Sequence, residues 1–248
     1  MKIRSATAAF MSALMMLLPC SAVSAQEPDN TLCGYGQGRE VDENNCPVGA
    51  MMFNEQFGSY SAYAVTDGDK ISLTFDQGYE NGFTAPILDT LKAVFFLTGD
   101  YAKRNKELVQ RMIDEGHIIG NHGMKHASLP KLSDEEAREE IMSLHDYVKE
   151  TYGYEMKYFR PPCGEYSEKA LAQVQSCGYK TLVWSFAYCD WNVNDQPDRV
   201  QSLERVSGAA HKGAIYLLHS VSETNCQILP EVIDNIRAAG FEFGLPEV

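Results

Sequence analysis

The sequence predicts an α/β protein built on a parallel sheet, either open or closed into a barrel. Short apolar segments alternate with single amphipathic helices from Lys70 onwards, which is the pattern of parallel strands joined by crossover helices. The 248 residues are 44% hydrophobic and 22% charged, which suits a large soluble core and excludes disordered, collagen-like and coiled-coil classes. No repeat of about 20–50 residues is present in the sequence.

The first 25 residues have the pattern of a secretory signal. Lys2 and Arg4 precede an apolar run of about ten residues, and Val23 and Ala25 supply small residues before a cleavage site. A membrane anchor needs roughly 20 apolar residues, and this run is too short. We therefore predict cleavage before Gln26, export to the medium or the cell wall, and no membrane insertion afterwards.

Acidic residues outnumber basic ones. The chain has 34 Asp and Glu against 21 Lys and Arg, a formal net charge of −13. Removal of the signal, which carries two basic residues and no acidic ones, takes this charge to −15. An excess of this sign repels phosphate backbones and anionic lipid, so we expect neither a nucleic-acid partner nor a membrane-surface partner.

Six cysteines remain after the signal is removed. An even number in an exported chain permits disulfides, and Cys33 with Cys46 would close a short loop. We therefore expect a disulfide between these two, with six free thiols as the alternative. The others have no assigned pairing and lack the CxxC spacing of a zinc site: Cys163, Cys177, Cys189 and Cys226.

The change of pattern along the chain separates an N-terminal extension from the main domain. Residues 26–69 lack a sustained period and are predicted to form an irregular N-terminal extension, followed by the main domain at 70–248. The first strand of the main domain carries Ile71 and Phe75 on one face. The helix at about 86–92 then meets the next strand without the usual linker of about 2–6 residues, so it is either unusually short or truncated.

Cap residues mark several later elements. Ser133 with Glu136 forms a capping box, and Gly116 and Gly178 follow the ends of helices. The predicted segments after the first strand are strand Ala93–Thr98, helix Lys103–Glu115, strand His117–Gly120, helices from Ser133 and Ser167, strand Thr181–Phe186, helix Asp198–Ala210, strand Gly213–Leu218, helix Leu229–Ala239 and a closing strand Phe241–Phe243.

Polar residues suited to catalysis fall at the carboxyl ends of the predicted strands, where α/β folds place their sites. Each of them alone is ambiguous. Asp76 before a short polar turn is ordinarily a turn former, and His122 and His126 are either two ligands of one metal or two surface histidines. The other three could belong to a functional site, to a surface turn or to a hydrogen-bonded position in the core: Arg160, Asp190 and His219.

Taken together, five motifs resemble the polysaccharide deacetylases, carbohydrate esterase family 4, over about 70–243. Three stretches, 74–82, 116–122 and 213–219, are similar to the branch of N-acetylmuramic acid deacetylases that make muramic δ-lactam in spore cortex. The motifs are Thr74–Gly82 (TFDQGYENG), Gly116–His126 (GHIIGNHGMKH), Arg160–Gly164 (RPPCG), Asp190–Trp191 and Gly213–His219 (GAIYLLH).

The resemblance implies a distorted (β/α) barrel and metal-assisted hydrolysis of an N-acetyl group. His122 and His126 would hold a divalent metal, zinc or cobalt, which polarises the acetamide oxygen and activates water. Asp76 would be the general base, with its carboxylate held by Arg160. The developing oxyanion would meet the metal and the backbone N–H of Cys163.

The resemblance also implies the remaining roles. His219 would protonate the leaving amine, and Asp190 would keep that imidazole oriented and cationic. We expect a monomer acting on a peptidoglycan glycan strand. Four residues would contact this substrate, the first two around the acetyl methyl: Trp191, Leu218, Cys163 and Tyr79.

Two positions depart from the family pattern. Gln77 stands where most relatives have an aspartate as third metal ligand, and a neutral amide is a poorer ligand, so we expect a weakly held metal. Cys163 stands where the δ-lactam branch tends to have an arginine that meets the lactyl carboxylate. Another cation would have to replace it, and the candidates are Lys125, Arg199 and Arg205.

Three functions stay open from the sequence. An exported metal-dependent deacetylase of N-acetylmuramic acid is favoured, because all six polar site residues are present. The same machinery acting on a chitin-like or xylan polymer comes second, and a glycan-binding barrel without catalysis comes third. A serine nucleophile is disfavoured because the sequence lacks a GxSxG stretch.

Overall fold

The computed structural model describes residues 27–248. The predicted secretory signal at 1–25 lies outside the described residues and stays a prediction. Across the described part, no helix combines the length and the apolar character needed to cross a bilayer.

Eight of the strands form one parallel sheet, and the remaining two form a small antiparallel pair. The strands are β1 (Cys33–Gly34), β2 (Ala62–Tyr63), β3 (Ser72–Gln77), β4 (Val94–Leu97), β5 (Ile118–Asn121), β6 (Tyr158–Phe159), β7 (Glu165–Tyr166), β8 (Lys180–Leu182), β9 (Phe186–Ala187) and β10 (Ile215–His219). The large sheet has the order β2–β8–β6–β5–β4–β3–β10–β9, and β1 pairs with β7.

Helices connect the strands of the large sheet and pack on its outer face. They are α1 (Val48–Phe57), α2 (Thr84–Leu88), α3 (Gly99–Arg104), α4 (Lys106–Asp114), α5 (Asp134–Tyr152), α6 (Glu168–Ser176), α7 (Arg199–Gly208) and α8 (Glu223–Ala238). Short 3₁₀ turns lie at Gly58–Tyr60, Leu129–Lys131 and Pro162–Gly164.

The large sheet curls until its two edges approach each other. Strand β8 lies second from one edge and β9 forms the other edge, yet only residues 183–185 separate them along the chain. So short a link spans at most about 14 Å. A bridge between Val65, shortly after β2, and Ala214, directly before β10, joins chain from the two ends of the sheet. The predicted distorted (β/α) barrel is therefore confirmed, with the ladder left open between the described strands β2 and β9.

Alternate residues of β4 show which side of the sheet faces inwards. Val94 and Phe96 are fully buried in one cluster with Leu182 and Ile215, which come from different parts of the sheet and therefore fill the inside of the curl. Phe95, between them, packs in the other direction among residues of the helices. Inside and outside of the sheet are thus both apolar, as expected for parallel strands.

Several predicted boundaries are confirmed. Ser133 Oγ accepts a hydrogen bond from the N–H of Glu136, and the Glu136 carboxylate accepts one from the N–H of Ser133 at 2.9 Å, which is the predicted capping box. Gly116 and Gly178 adopt φ of 79° and 86° at the ends of α4 and α6. This left-handed backbone is the reason that glycine occupies both positions.

The predicted strand Thr181–Phe186 is wrong, because the chain crosses within it from the second strand at one side of the sheet to the edge strand at the other side. Its first residues belong to β8 and its last residue to β9. Between them, the backbone N–H of Ser185 donates to the carbonyl of Ile215 at 2.9 Å. The segment is mostly apolar throughout, but the backbone hydrogen-bond partners change within it.

Two helices also differ from prediction. The helix Lys103–Glu115 is in fact α3 and α4, which are separated at Asn105, where φ and ψ of −114° and 46° leave the helical region. The last helix begins at Glu223, before the expected Leu229, because Ser222 caps it and it tolerates a proline inside. The short helix before β4 is α2, which has five residues and ends before a turn, so the linker exists and the helix is unusually short.

The segment 26–69 is more regular than the sequence predicted. Helix α1 has ten residues, and β2 pairs with β8 as an edge of the main sheet. Phe53 and Phe57 of α1 are buried in a cluster with Leu171 and Val183. Apolar packing therefore attaches this segment to the sheet.

All six cysteines in the described part of the chain are free thiols, so the expected disulfide is absent. Cys33 lies in β1, opposite Tyr166 of β7. Cys46 lies in a turn where its N–H donates to the Asp42 carboxylate at 2.8 Å. The two cysteines are held by different elements, which the short distance along the sequence did not reveal.

Candidate active site

The predicted site residues meet at the carboxyl ends of neighbouring strands. Asp76 is the penultimate residue of β3, and His219, the last residue of β10, is its direct partner in the parallel register. His122 directly follows β5, and Arg160 directly follows β6. Because parallel strands end on the same edge of a sheet, residues far apart in sequence converge there.

Arg160 holds the carboxylate of Asp76. Its Nη1 donates to Asp76 Oδ1 at 2.8 Å, and the guanidinium lies 4.1 Å from the ring centre of Phe96. Its Nε and Nη2 donate to the carbonyls of Leu182 and Val183 at 3.0 and 3.2 Å. Burial alone would raise the pKa of Asp76, but Arg160 and the nearby imidazoles hold that pKa below its usual value.

The two histidines of the HxxxH motif face each other. His122 Nδ1 lies 2.9 Å from the carbonyl of Arg160, and its Nε2 lies 3.1 Å from His126 Nε2. Burial lowers the pKa of His122 to about 4, so this ring is neutral at pH 7. A neutral ring that donates from Nδ1 to a carbonyl leaves its Nε2 lone pair free, directed towards His126.

The histidine pair fits a divalent cation. Two nitrogens at roughly 2.0–2.1 Å from one tetrahedral cation lie about 3.3–3.4 Å apart, close to the separation observed here. Asp76 Oδ2 lies 3.4 Å from His122 Nε2, so a carboxylate oxygen borders the same point. Within residues 27–248 no cluster of three or more histidine, cysteine or acidic side chains has the spacing of a metal site. The donor set is therefore two imidazoles with an oxygen beside them.

Gln77 does not take the place of a third ligand in this arrangement. Its side chain is fully buried, and its Oε1 accepts a hydrogen bond from Ser220 Oγ at 2.6 Å. Ser220 Oγ also lies 3.0 Å from Thr84 Oγ1, while Gln77 Nε2 is without a partner among the described residues. The amide thus links β3 to the residue after His219 instead of joining the histidine pair.

Asp190 organises His219. Its Oδ1 lies 2.7 Å from His219 Nδ1, and its Oδ2 accepts the backbone N–H of His219 at 2.8 Å. Asn225 Nδ2 donates to the same Oδ2 at 2.5 Å, and Tyr188 donates its hydroxyl to Asn225. Burial disfavours the imidazolium, yet the hydrogen bond and charge of Asp190 outweigh it and raise the pKa of His219.

A cleft of about 480 Å³ opens above these groups. Tyr79 and Trp191 line it and are 49% and 57% exposed, and their contact with a substrate stays a prediction. Leu218 is 1% exposed and belongs to the core, so it does not line the cleft as predicted. Cys163 is exposed, but it too lies outside the lining.

One of the three cations expected to replace a family arginine reaches this cleft. Lys125 is part of the lining and is the only permanently cationic side chain there within the described residues. Arg205 lies 5.9 Å from the ring centre of Tyr188, and Arg199 is the first residue of α7.

Three residues near the site carry contacts that the sequence did not predict. Asn225 supports Asp190, and Ser220 holds Gln77. Glu140, from α5, accepts hydrogen bonds from the loop that carries His126. Of these three, only Glu140 could have been noticed in the sequence, because it is an acid on the otherwise apolar face of α5.

The arrangement contains what hydrolysis of an amide requires. It places a carboxylate with a lowered pKa, a pair of nitrogens able to hold a cation, and an imidazole with a raised pKa around one cleft. A sequence model described as polysaccharide deacetylase matches residues 64–182. The peptidoglycan-N-acetylmuramic acid deacetylase PdaA of Bacillus subtilis is 36% identical over 236 residues, which cover 92% of this chain and 89% of PdaA.

The chain belongs to the polysaccharide deacetylase family. The solved structure of Bacillus subtilis PdaA, described as a family 4 carbohydrate esterase, matches with a TM-score of 0.82 and 35% identity. That match covers 88% of this chain and 96% of PdaA. A family 4 carbohydrate esterase from Bacillus anthracis matches with a TM-score of 0.73 and 35% identity, covering 89% and 96% of the two chains. This family member is therefore a hydrolase, as the sequence predicted.

Proposed function

We propose that the protein removes N-acetyl groups from peptidoglycan glycan strands, with N-acetylmuramic acid as its substrate on the route to muramic δ-lactam. The observation that carries the proposal is the convergence of Asp76, the histidine pair and His219 on one cleft. The likeness to PdaA, which extends over most of both chains, supports the choice of sugar.

The base of this reaction is Asp76. Arg160 occupies Oδ1, so Oδ2 is the oxygen available to take a proton from the attacking water. The pKa of the carboxyl lies below its usual value, so it is ionised and ready to accept that proton at neutral pH. When bound between His122 and His126, zinc or cobalt supplies a Lewis acid that polarises the acetamide and lowers the pKa of water.

The acid of this reaction is His219. Water attacks the acetamide carbon, and the C–N bond then breaks as His219 Nε2 gives its proton to the sugar nitrogen. The products are acetate and a free amine. Asp190 binds Nδ1 of the ring, so Nε2 is the nitrogen that is available on the side of the cleft. The backbone N–H of Cys163 is the further oxyanion donor that the family likeness suggests.

The proposal includes export, because the first 25 residues have the pattern of a secretory signal. The substrate would then be reached outside the cytoplasmic membrane. Mass analysis of the N-terminus of protein collected from the medium tests this part, with Gln26 expected as the first residue.

Acetate release distinguishes the possible substrates. Purified peptidoglycan, with and without prior removal of its peptides by an amidase, is compared with chitooligosaccharide and acetylated xylan. We expect release from the peptide-free glycan, together with muropeptides that have lost one acetyl group. Asp76→Asn should release none. Equal release from chitooligosaccharide would assign the same chemistry to another sugar, and glycan binding without release would indicate a non-catalytic barrel.

A further inference from the structure

One buried carboxylate beside the cleft is not used by the proposed mechanism. Glu140 lies on α5 and is 4% exposed. No lysine, arginine or histidine nitrogen of residues 27–248 forms an ion pair with it. A charge buried without a cation must be satisfied by hydrogen bonds, and these show what Glu140 does.

The side-chain hydrogen bonds of Glu140 both go to the loop that carries His126. Its Oε1 accepts the backbone N–H of Lys125 at 2.7 Å and that of Ala127 at 3.0 Å. Its own backbone carbonyl accepts the N–H of Met124 at 3.0 Å. One residue of α5 therefore binds the N–H groups on both sides of His126.

His126 itself adopts a backbone conformation that side chains rarely take. Its φ is 60°, in the left-handed region. Such a conformation persists only where the surroundings enforce it. A left-handed residue can direct neighbouring N–H groups to one side, where they form a concave site for an anion. The Glu140 oxygen occupies that position, so carboxylate and loop conformation support each other.

Gly123 provides the space for this contact. A Cβ at position 123 would lie 2.6 Å from Glu140 Oε1, closer than any real contact, and φ there is 84°. The absence of a side chain at this position therefore allows the carboxylate to reach the loop.

We propose that Glu140 is a positioning residue for the histidine pair, which fixes the loop 123–127 so that His126 Nε2 meets His122 Nε2 and both can hold one divalent cation. The proposal rests on the proposed metal-assisted function. In this role Glu140 does not bind the metal but orients a residue that does. Loss of such an orienting contact typically costs about 10–100-fold in metal affinity.

Two substitutions distinguish the effect of the length of the Glu140 side chain from the effect of its charge. Glu140→Asp keeps the charge but is one methylene too short to reach the loop, and Glu140→Gln keeps an oxygen acceptor at full length but loses the charge. The matched control is Glu139→Gln, an exposed acid at the adjacent position. All are made in the full chain, and circular dichroism checks that each folds.

Zinc affinity of the metal-free proteins is measured by competition with a chromophoric chelator. We expect Glu140→Asp to weaken zinc binding by about 10–100-fold, and Glu140→Gln and Glu139→Gln to stay near the wild-type value. Wild-type affinity in Glu140→Asp would overturn the proposal. Loss in Glu140→Gln with retention in Glu140→Asp would also overturn it, because charge and not position would then decide affinity.

Hydrogen exchange in the metal-free protein gives a readout that needs neither zinc nor activity. Glu140→Asp should speed exchange in the peptide that contains residues 124–127, and Glu139→Gln should not. Unchanged exchange would overturn the role of Glu140 in holding the loop. If the wild-type protein binds no zinc, the proposed metal-assisted function fails, and this exchange measurement still decides whether Glu140 holds the loop.

Discussion

The two acid–base residues of the site have pKa values displaced in opposite directions. For Asp76, the charges of Arg160 and the imidazoles outweigh burial and keep its pKa low. For His219, the hydrogen bond and charge of Asp190 outweigh burial and raise its pKa. The lowered pKa favours the form of Asp76 that accepts a proton, and the raised pKa favours the form of His219 that donates one, which are the forms that amide hydrolysis requires.

Replacing Asp190 with Asn should lower the pKa of His219, since the ring loses the anion that favours its cation. A general acid acts in its protonated form, which exists below its pKa. The alkaline limb of the kcat/KM profile should therefore move to lower pH. We expect kcat/KM at the optimum to fall by about 10²-fold, at the low end of what general acid–base catalysis contributes. Acetate release followed across pH measures both effects.

Asp195→Asn is the control for this profile. Asp195 is an exposed acid that follows Asp190 closely in the chain, so its replacement removes the same charge without touching His219. Its profile should coincide with that of the wild type. An alkaline limb that stays in place in Asp190→Asn would show that His219 is not the acid that sets it.

Replacing Gln77 with Ala should leave zinc affinity unchanged, because the amide oxygen binds Ser220 and does not join the histidine pair. Turnover should fall several-fold, since one hydrogen bond beside His219 is lost and such a bond is worth about 1 kcal/mol. Calorimetric titration of zinc and kcat separate the two effects. Gln175→Ala removes a hydrogen bond to Ser61 away from the cleft and should alter neither. Weaker zinc binding in Gln77→Ala would make Gln77 a ligand after all.

Single residues also show where sequence reasoning ends. The positions of Asp76 and His219 could be predicted, because strand ends of a parallel sheet converge. The direction of the Gln77 side chain could not, because it depends on Ser220, which lies 143 positions away. Asn225 could not be linked to Asp190 for the same reason, since no local spacing connects them.

At the scale of elements, the crossing between β8 and β9 shapes the site. The sequence predicted one strand at 181–186, where four of the six residues are apolar. The sequence of side chains does not show which strand each backbone group binds. In this segment the partner strand changes. Arg160 donates hydrogen bonds to the carbonyls of Leu182 and Val183. The residue that binds the base Asp76 therefore also fixes the backbone between β8 and β9.

Replacing Arg160 with Met should destabilise the fold as well as abolish activity. The change leaves Asp76 buried without its cation and frees two carbonyls at the crossing. Breaking a buried ion pair by removing one partner costs about 3–5 kcal/mol of unfolding free energy. Urea unfolding followed by circular dichroism measures this loss.

A double substitution tests the origin of that loss. Asp76→Leu together with Arg160→Met removes both charges, so no uncompensated ion remains buried. The double variant should be more stable than Arg160→Met alone. A double variant that is no more stable than the single one would place the loss at the carbonyls of the crossing and not at the carboxylate.

At the scale of the whole molecule, the charge of the protein opposes its proposed substrate. The chain carries a formal net charge of −13, and peptide-free N-acetylmuramic acid carries a free lactyl carboxylate. Long-range repulsion between them lowers the local concentration of substrate. A cation at the cleft is therefore needed to favour this sugar, and among the described lining residues Lys125 is the one with a permanent positive charge.

Replacing Lys125 with Ala should raise KM for peptide-free N-acetylmuramic acid chains by about tenfold, because a charge-assisted hydrogen bond of about 1.5–3 kcal/mol is lost. KM for N-acetylglucosamine oligomers, which lack the lactyl carboxylate, should not change. The difference should shrink as salt is added, since salt screens an exposed pair. Lys106→Ala removes an exposed charge outside the cleft and should leave both values as they are. Equal losses on both sugars would mean that Lys125 shapes the cleft without reading the carboxylate, and the preference would then have to arise elsewhere.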